Sequence, residues 1–184
     1  MHNVLKSHGR VYRLYREKYY QQQQGKISIT ISSRFVYPHA NARNGDELVE
    51  RAMQFQIGWV AQPLYKGNYP QVMVDRIANN SRSEGHPRSR LPAFTQEWSD
   101  LLRGTLDYFS LNYYTSRVVE EIGDGPQAAQ KENFGFPSWD YDLHVRETVE
   151  RSWKRSQLAW LYSVPEGMGD ILRFAHFDSF KCSG

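Results

Sequence analysis

The stretch LDYFSLNYYTS, Leu106 to Ser116, decides how this chain folds. Read as a strand, it puts Tyr108, Ser110, Asn112 and Tyr114 on one face and Phe109, Leu111 and Tyr113 on the other. An earlier run, KISITISS at Lys26 to Ser33, repeats the pattern, with Ile27, Ile29 and Ile31 opposed to Ser28, Thr30 and Ser32. Both runs lie between helical segments, an arrangement in which strands pack apolar faces on helices and turn polar faces toward a site. In a parallel α/β barrel that site lies at the carboxyl ends of the strands, where Asn112 and Tyr114 fall.

Outward from these strands the order of elements is legible. Val4, Leu5, His8, Val11, Tyr12, Tyr15 and Tyr19 recur at helical spacing over Asn3 to Tyr20. The arginines and lysines between them fit a solvated helix face or, alternatively, a basic-aromatic RNA-binding helix. After the strand Ile27 to Ser33, turn signals at Tyr37-Pro38 and Asn44-Gly45 predict a loop over Arg34 to Gly45. Asp46 is read as the cap of a helix to about Val60, Pro70 as the start of a short helix through Ile77, and Thr95 as the cap of a helix over Gln96 to Arg103. Residues 79–90 and 120–156 read as long exposed loops, and Pro165 opens a last helix through about Ala175. Repeated alternation of strand and helix predicts parallel strands joined by crossovers. Two strands alone do not make a stable sheet covered on both faces.

Composition narrows the function. The 184 residues suffice for one domain, and 40% hydrophobic with 14% aromatic residues excludes a disordered chain. A net charge of +3 is too mild to argue for nucleic acid or a membrane, and neither partner is expected. The single cysteine, Cys182, excludes an internal disulfide and a cysteine-based zinc site. Asp140, Asp142 and His144 have alternating spacing, but they lack a further ligand nearby, and a solvated polar loop is the expectation. Glu120 and Glu121 are adjacent, so on a strand they point to opposite faces and do not share a substrate. No metal and no cofactor are expected. Asn79-Asn80-Ser81 is a glycosylation acceptor pattern at Asn79, meaningful in a secretory compartment.

Six segments together resemble one family, the retaining β-glycosidases of glycoside hydrolase family 1, especially its insect β-glucosidase and myrosinase-like branch. They are HNVLKSHGRVYRLYREKY (His2 to Tyr19), GKISIT (Gly25 to Thr30), ERAMQFQIGWVAQPLYKGNYP (Glu50 to Pro70), RSRLPAFT (Arg88 to Thr95), LDYFSLNYYTS and AWLYSVPEGM (Ala159 to Met168). The resemblance spans nearly the whole chain, 1–184, in order. It implies an α/β fold: a partial (β/α)8 TIM barrel, from the helix after strand 4 through the helix after strand 6. It also implies hydrolysis of O- or S-glycosyl bonds by double displacement, with a β-glucoside or related substrate, and an extracellular, secreted protein.

Retention needs two carboxyl groups about 5–5.5 Å apart. In the family these lie in a T-x-N-E-P motif ending the fourth strand and a T-E-N-G motif ending the seventh, and neither motif occurs here. The resemblance therefore implies a fragment without catalytic glutamates, inactive alone, or else a non-catalytic carbohydrate-binding or regulatory product. Missing barrel segments or self-association are expected to be needed for stability. By the same resemblance Asn112 and Tyr114 fit the family's N-x-Y element at the sugar subsite. Trp160 matches a tryptophan on the aglycone side, and Phe35 is placed along the same cleft. Ser32 stands where the family more often has Asn.

Overall fold

Strands β1 (Thr30–Pro38) and β2 (Ser110–Glu121) lie side by side and parallel, with Thr30 opposite Ser110 and Ser32 opposite Asn112. They are the frame of a computed structural model that describes residues 1–123 and 137–175. Ahead of β1 run helices α1 (His2–Lys18) and α2 (Tyr20–Gln23). Between the strands come α3 (Gly45–Met53), a π-helical turn (Gln54–Gly58), α4 (Trp59–Lys66), α5 (Gln71–Ser83) and α6 (Gln96–Leu102). After β2 follow α7 (Trp139–Leu143), β3 (Val145–Thr148), the short pair β4 (Lys154–Arg155) and β5 (Tyr162–Ser163), and α8 (Glu166–Phe174).

The alternation seen in the sequence sorts the faces. Ile31 is buried, whereas Thr30 and Ser32 are exposed. Ser33 donates its hydroxyl to Gln56 Oε1 (3.2 Å) in the π-helical turn, and Tyr37 donates to Asp170 Oδ2 (2.5 Å) on α8. Ile31, Ser33, Phe35 and Tyr37 thus face the helices, and Thr30, Ser32 and Arg34 face away from them. The core forms on the helix side around Leu5, Ile31, Phe55, Leu64, Met73 and Ile171. Gly167 brings α8 close to β2, since a Cβ there would lie 2.1 Å from Ser116 Oγ.

Asp107, just ahead of β2, ties α1 to both strands at the amino end of the sheet. Its Oδ1 accepts from Tyr12 (2.7 Å) and pairs with Arg16, and its Oδ2 accepts from the Ile27 N–H (2.7 Å). Burial pushes this carboxyl up, but the Ile27 N–H, the Tyr12 hydroxyl and Arg16 together hold it below the usual carboxylate range.

Three expectations change. β1 starts later than Ile27 and runs on through Arg34 to Pro38, because residues 35–38 continue the ladder against Ser116–Val119. Turn signals mark its end rather than a loop after Ser33. Residues 120–156 are not one loop: β2 continues to Glu121, and β3 returns antiparallel, Val118 opposite Thr148. Residues 79–90 are not wholly an exposed loop either. α5 extends through Ser83, with the buried Ser81 hydroxyl donating to Ile77 O (2.5 Å), and Asn79 stands on its solvent side as a helical residue. Beyond it, Arg90 chelates Glu84 (2.7 Å) and Asp142 (2.7 Å), whose side chains are nearly inaccessible to water.

Candidate functional site

Midway along the β1–β2 pair lies a bulge. Between Ser33 and Phe35 β1 advances two residues while β2 advances three, from Tyr113 to Ser116. The extra residue leaves Tyr114 facing solvent, 58% exposed, and lets both Thr115 and Ser116 turn inward. Asn112 is exposed on the same face, one alternation before Tyr114. Trp160, 49% exposed in the turn between β4 and β5, sets its ring edge-on to Tyr114 at 6.0 Å between centroids.

That turn is held down from below. Thr115 Oγ1 donates to Tyr162 O (2.9 Å), and Arg117 Nη2 donates to Trp160 O (2.7 Å). Burial pushes the Arg117 guanidinium down, and nearby Arg34 adds to this. Arg34 itself reaches Glu147 on β3 at 2.6 Å. The face therefore offers an amide, a phenol and an indole as ligand groups, beside an arginine already matched by a carboxylate. A phenol and an amide hydrogen-bond hydroxyls, and an exposed indole covers the apolar side of a ring.

The structure brings Tyr114 and Trp160 together and puts Asn112 on their face. Phe35 does not join them. It packs with the core on the helix side, 5.0 Å from the Tyr37 ring and along a groove with Val49 and Phe174. Its neighbour Val36, fully buried, lines the same groove. Glu120 and Glu121 go to Arg146 and Arg51 respectively. Asp142 is not part of a solvated loop: it is buried against Arg90 and Asn80, while His144 turns to Gly123 O. Among the described residues no three histidine, cysteine or acidic side chains are gathered as metal ligands. No helix there is long and apolar enough to cross a membrane. Sequence reasoning missed Arg34, Arg117 and Glu147. Continuing the Thr30, Ser32 alternation by one step would have placed Arg34 on this face.

Residues 1–179 match the family described as Glycosyl hydrolase family 1, and the chain belongs to it. Myrosinase 1 of the aphid Brevicoryne brassicae is 39% identical over 174 residues, which are 93% of this chain and 35% of that protein. A human lactase-like protein is 33% identical over 95% of this chain and 30% of its own length. Among solved structures, an aphid myrosinase superposes with a TM-score of 0.79 at 38% identity, covering 93% of this chain and 35% of that one. A rice beta-glucosidase superposes with 0.81 at 25% identity, covering 97% and 35%. The chain thus spans about a third of the length of the relatives it matches.

Proposed function

We propose that the face bearing Asn112, Tyr114 and Trp160 is one side of the sugar site of a retaining β-glycosidase, and that this chain supplies part of a (β/α)8 barrel. The observation that carries this reading is the bulge in β2, which sets Tyr114 out on the exposed face of the strand against Trp160. In such a site Asn112 hydrogen-bonds a sugar hydroxyl, Tyr114 orients and stabilises an ionised carboxylate, and Trp160 stacks on the aglycone. Neither the T-x-N-E-P nor the T-E-N-G motif occurs in this sequence, and on this reading the chain binds a β-glucoside or a related glycoside without cleaving it. Phe35 contributes from behind the sheet, by packing, rather than by touching sugar. A secreted setting, with Asn79 open for glycosylation on the outer side of α5, belongs to the same reading.

Calorimetric titration with a nitrophenyl β-glucoside tests it. Heat of binding is expected for the unaltered chain, with affinity reduced about tenfold in Tyr114→Ala and in Trp160→Ala, the scale of one lost aromatic contact. Absence of heat, or heat indifferent to both substitutions, would count against the assignment.

A further inference from the structure

Trp160 stands in a turn that has little pairing of its own. β4 and β5 are two residues long each, and among the described residues no backbone ladder joins them to β2. A two-stranded ribbon of that size does not hold its shape alone in water. Yet the turn sets the Trp160 ring edge-on to Tyr114. Its placement comes from outside the ribbon.

Side chains of β2 supply it at every second residue. Arg117 Nη2 donates to Trp160 O (2.7 Å), Thr115 Oγ1 to Tyr162 O (2.9 Å), and the Tyr113 hydroxyl to Val164 O (2.5 Å). Steps of two forward along residues 160–164 meet steps of two backward along β2. This is the register of an antiparallel ladder, built with side chains in place of one backbone. At the middle rung the Thr115 hydroxyl also accepts from the Tyr162 N–H (3.3 Å), so one hydroxyl serves both polar groups of that residue. The rungs are tied to one another. Arg117 Nη1 donates to Ser116 O (2.9 Å) and, at longer range, to Thr115 Oγ1 (3.4 Å), and its guanidinium lies 5.7 Å from the Tyr162 ring centre. With its proton on Val164 O, the Tyr113 hydroxyl accepts from Ser116 Oγ (2.8 Å). Gly167 leaves the room for this, since a Cβ there would fall 2.3 Å from the Tyr113 hydroxyl.

From these bonds we infer that Tyr113, Thr115 and Arg117 are positioning residues, a side-chain ladder that fixes Trp160 against Tyr114, with Arg117 as the rung that seats the indole. Tyr114 projects to solvent from between the lower two rungs. The phenol and the anchors of the indole therefore share one short stretch of β2, and the gap between the two ligand groups is set by that strand rather than by the turn. Arg117 touches no ligand and acts through the Trp160 carbonyl. The value of this to glycoside binding rests on the proposed function; the ladder itself does not.

Fluorine NMR of the full chain grown with 5-fluorotryptophan tests the ladder without any ligand. The five tryptophans give five resonances, and Trp160→Phe identifies the one from Trp160. In Arg117→Met, which fills similar space and donates nothing, that resonance is expected to move toward the position of free 5-fluorotryptophan. Those of Trp59, Trp98, Trp139 and Trp153 are expected to stay. Arg117→Lys keeps a donor on a long stem and is expected to restore most of the original position. Thr115→Val, one rung away, moves it less than Arg117→Met does, and Tyr113→Phe least. A Trp160 resonance unmoved in both Arg117→Met and Thr115→Val, or one that moves in step with the other four, would overturn the inference. Titration with a nitrophenyl β-glucoside then reads the consequence. Arg117→Met is expected to lose affinity about tenfold, as Trp160→Ala does, and the two together no more than Trp160→Ala alone, because both remove one contact. An additive loss of about a hundredfold would also overturn it. If the unaltered chain binds no glucoside, the sugar site fails and the fluorine spectra still decide the ladder.

Discussion

Arg90→Ala is expected to destabilise the folded chain by about 4 kcal/mol, as losing one partner of a buried ion pair does. Arg90 uses three nitrogens on two acids: Nε and Nη2 reach Glu84 at 2.7 and 2.9 Å, and Nη1 and Nη2 reach Asp142 at 3.0 and 2.7 Å. The two carboxylates are 4% and 5% exposed. Without the guanidinium, two buried negative charges face each other with few donors left, Asn80 Nδ2 on Asp142 being one. The network joins the end of α5, the segment after it and α7, so its loss loosens three pieces far apart in sequence. Urea unfolding at low protein concentration reads the difference; a loss below about 1 kcal/mol would put Arg90 among surface pairs.

Asp107→Asn is the second large effect, about 2–3 kcal/mol near neutral pH, because hydrogen bonds to a charged group are worth about 1.5–3 kcal/mol each. One end of the amide must present N–H either to the Ile27 N–H or to Tyr12 and Arg16, all of which are donors. The effect depends on pH with a definite sign. The folded carboxyl titrates below its ordinary value of about 3.9, so its contribution is fully present above that value and fades as pH falls through the lower folded value. Unfolding curves of the original chain and the variant are therefore expected to converge at low acid pH. A gap that stayed constant down to pH about 2 would contradict this account of Asp107.

What was legible in the sequence was the part governed by local period and by the matching segments. The two strands, their polar faces, the Thr95 cap and the last helix all follow from alternation and from capping residues that act within a few positions; the Thr95 side chain does accept from Trp98 N. What was hidden was pairing at a distance. Arg34 to Pro38 looks like a loop because it contains turn residues, and only the distant partner residues Ser116 to Val119 make it a strand. The acids and arginines of residues 79–90 and 140–147 look solvated when read singly; Glu84 and Asp142 become buried when Arg90 finds both of them. Period alone did not sort Phe35, since its neighbour Val36 is fully buried in the same core. The bulge that throws Tyr114 outward was not readable either, because a bulge is a property of two strands together.

The proposed function turns on this chain bringing sugar-binding groups without the pair of acids that cleave a glycosidic bond. Release of nitrophenol from a nitrophenyl β-glucoside by the purified chain measures it most directly. The account predicts a rate no greater than that of the buffer alone. Turnover abolished by changing a single carboxylate, Glu147 above all, would contradict it.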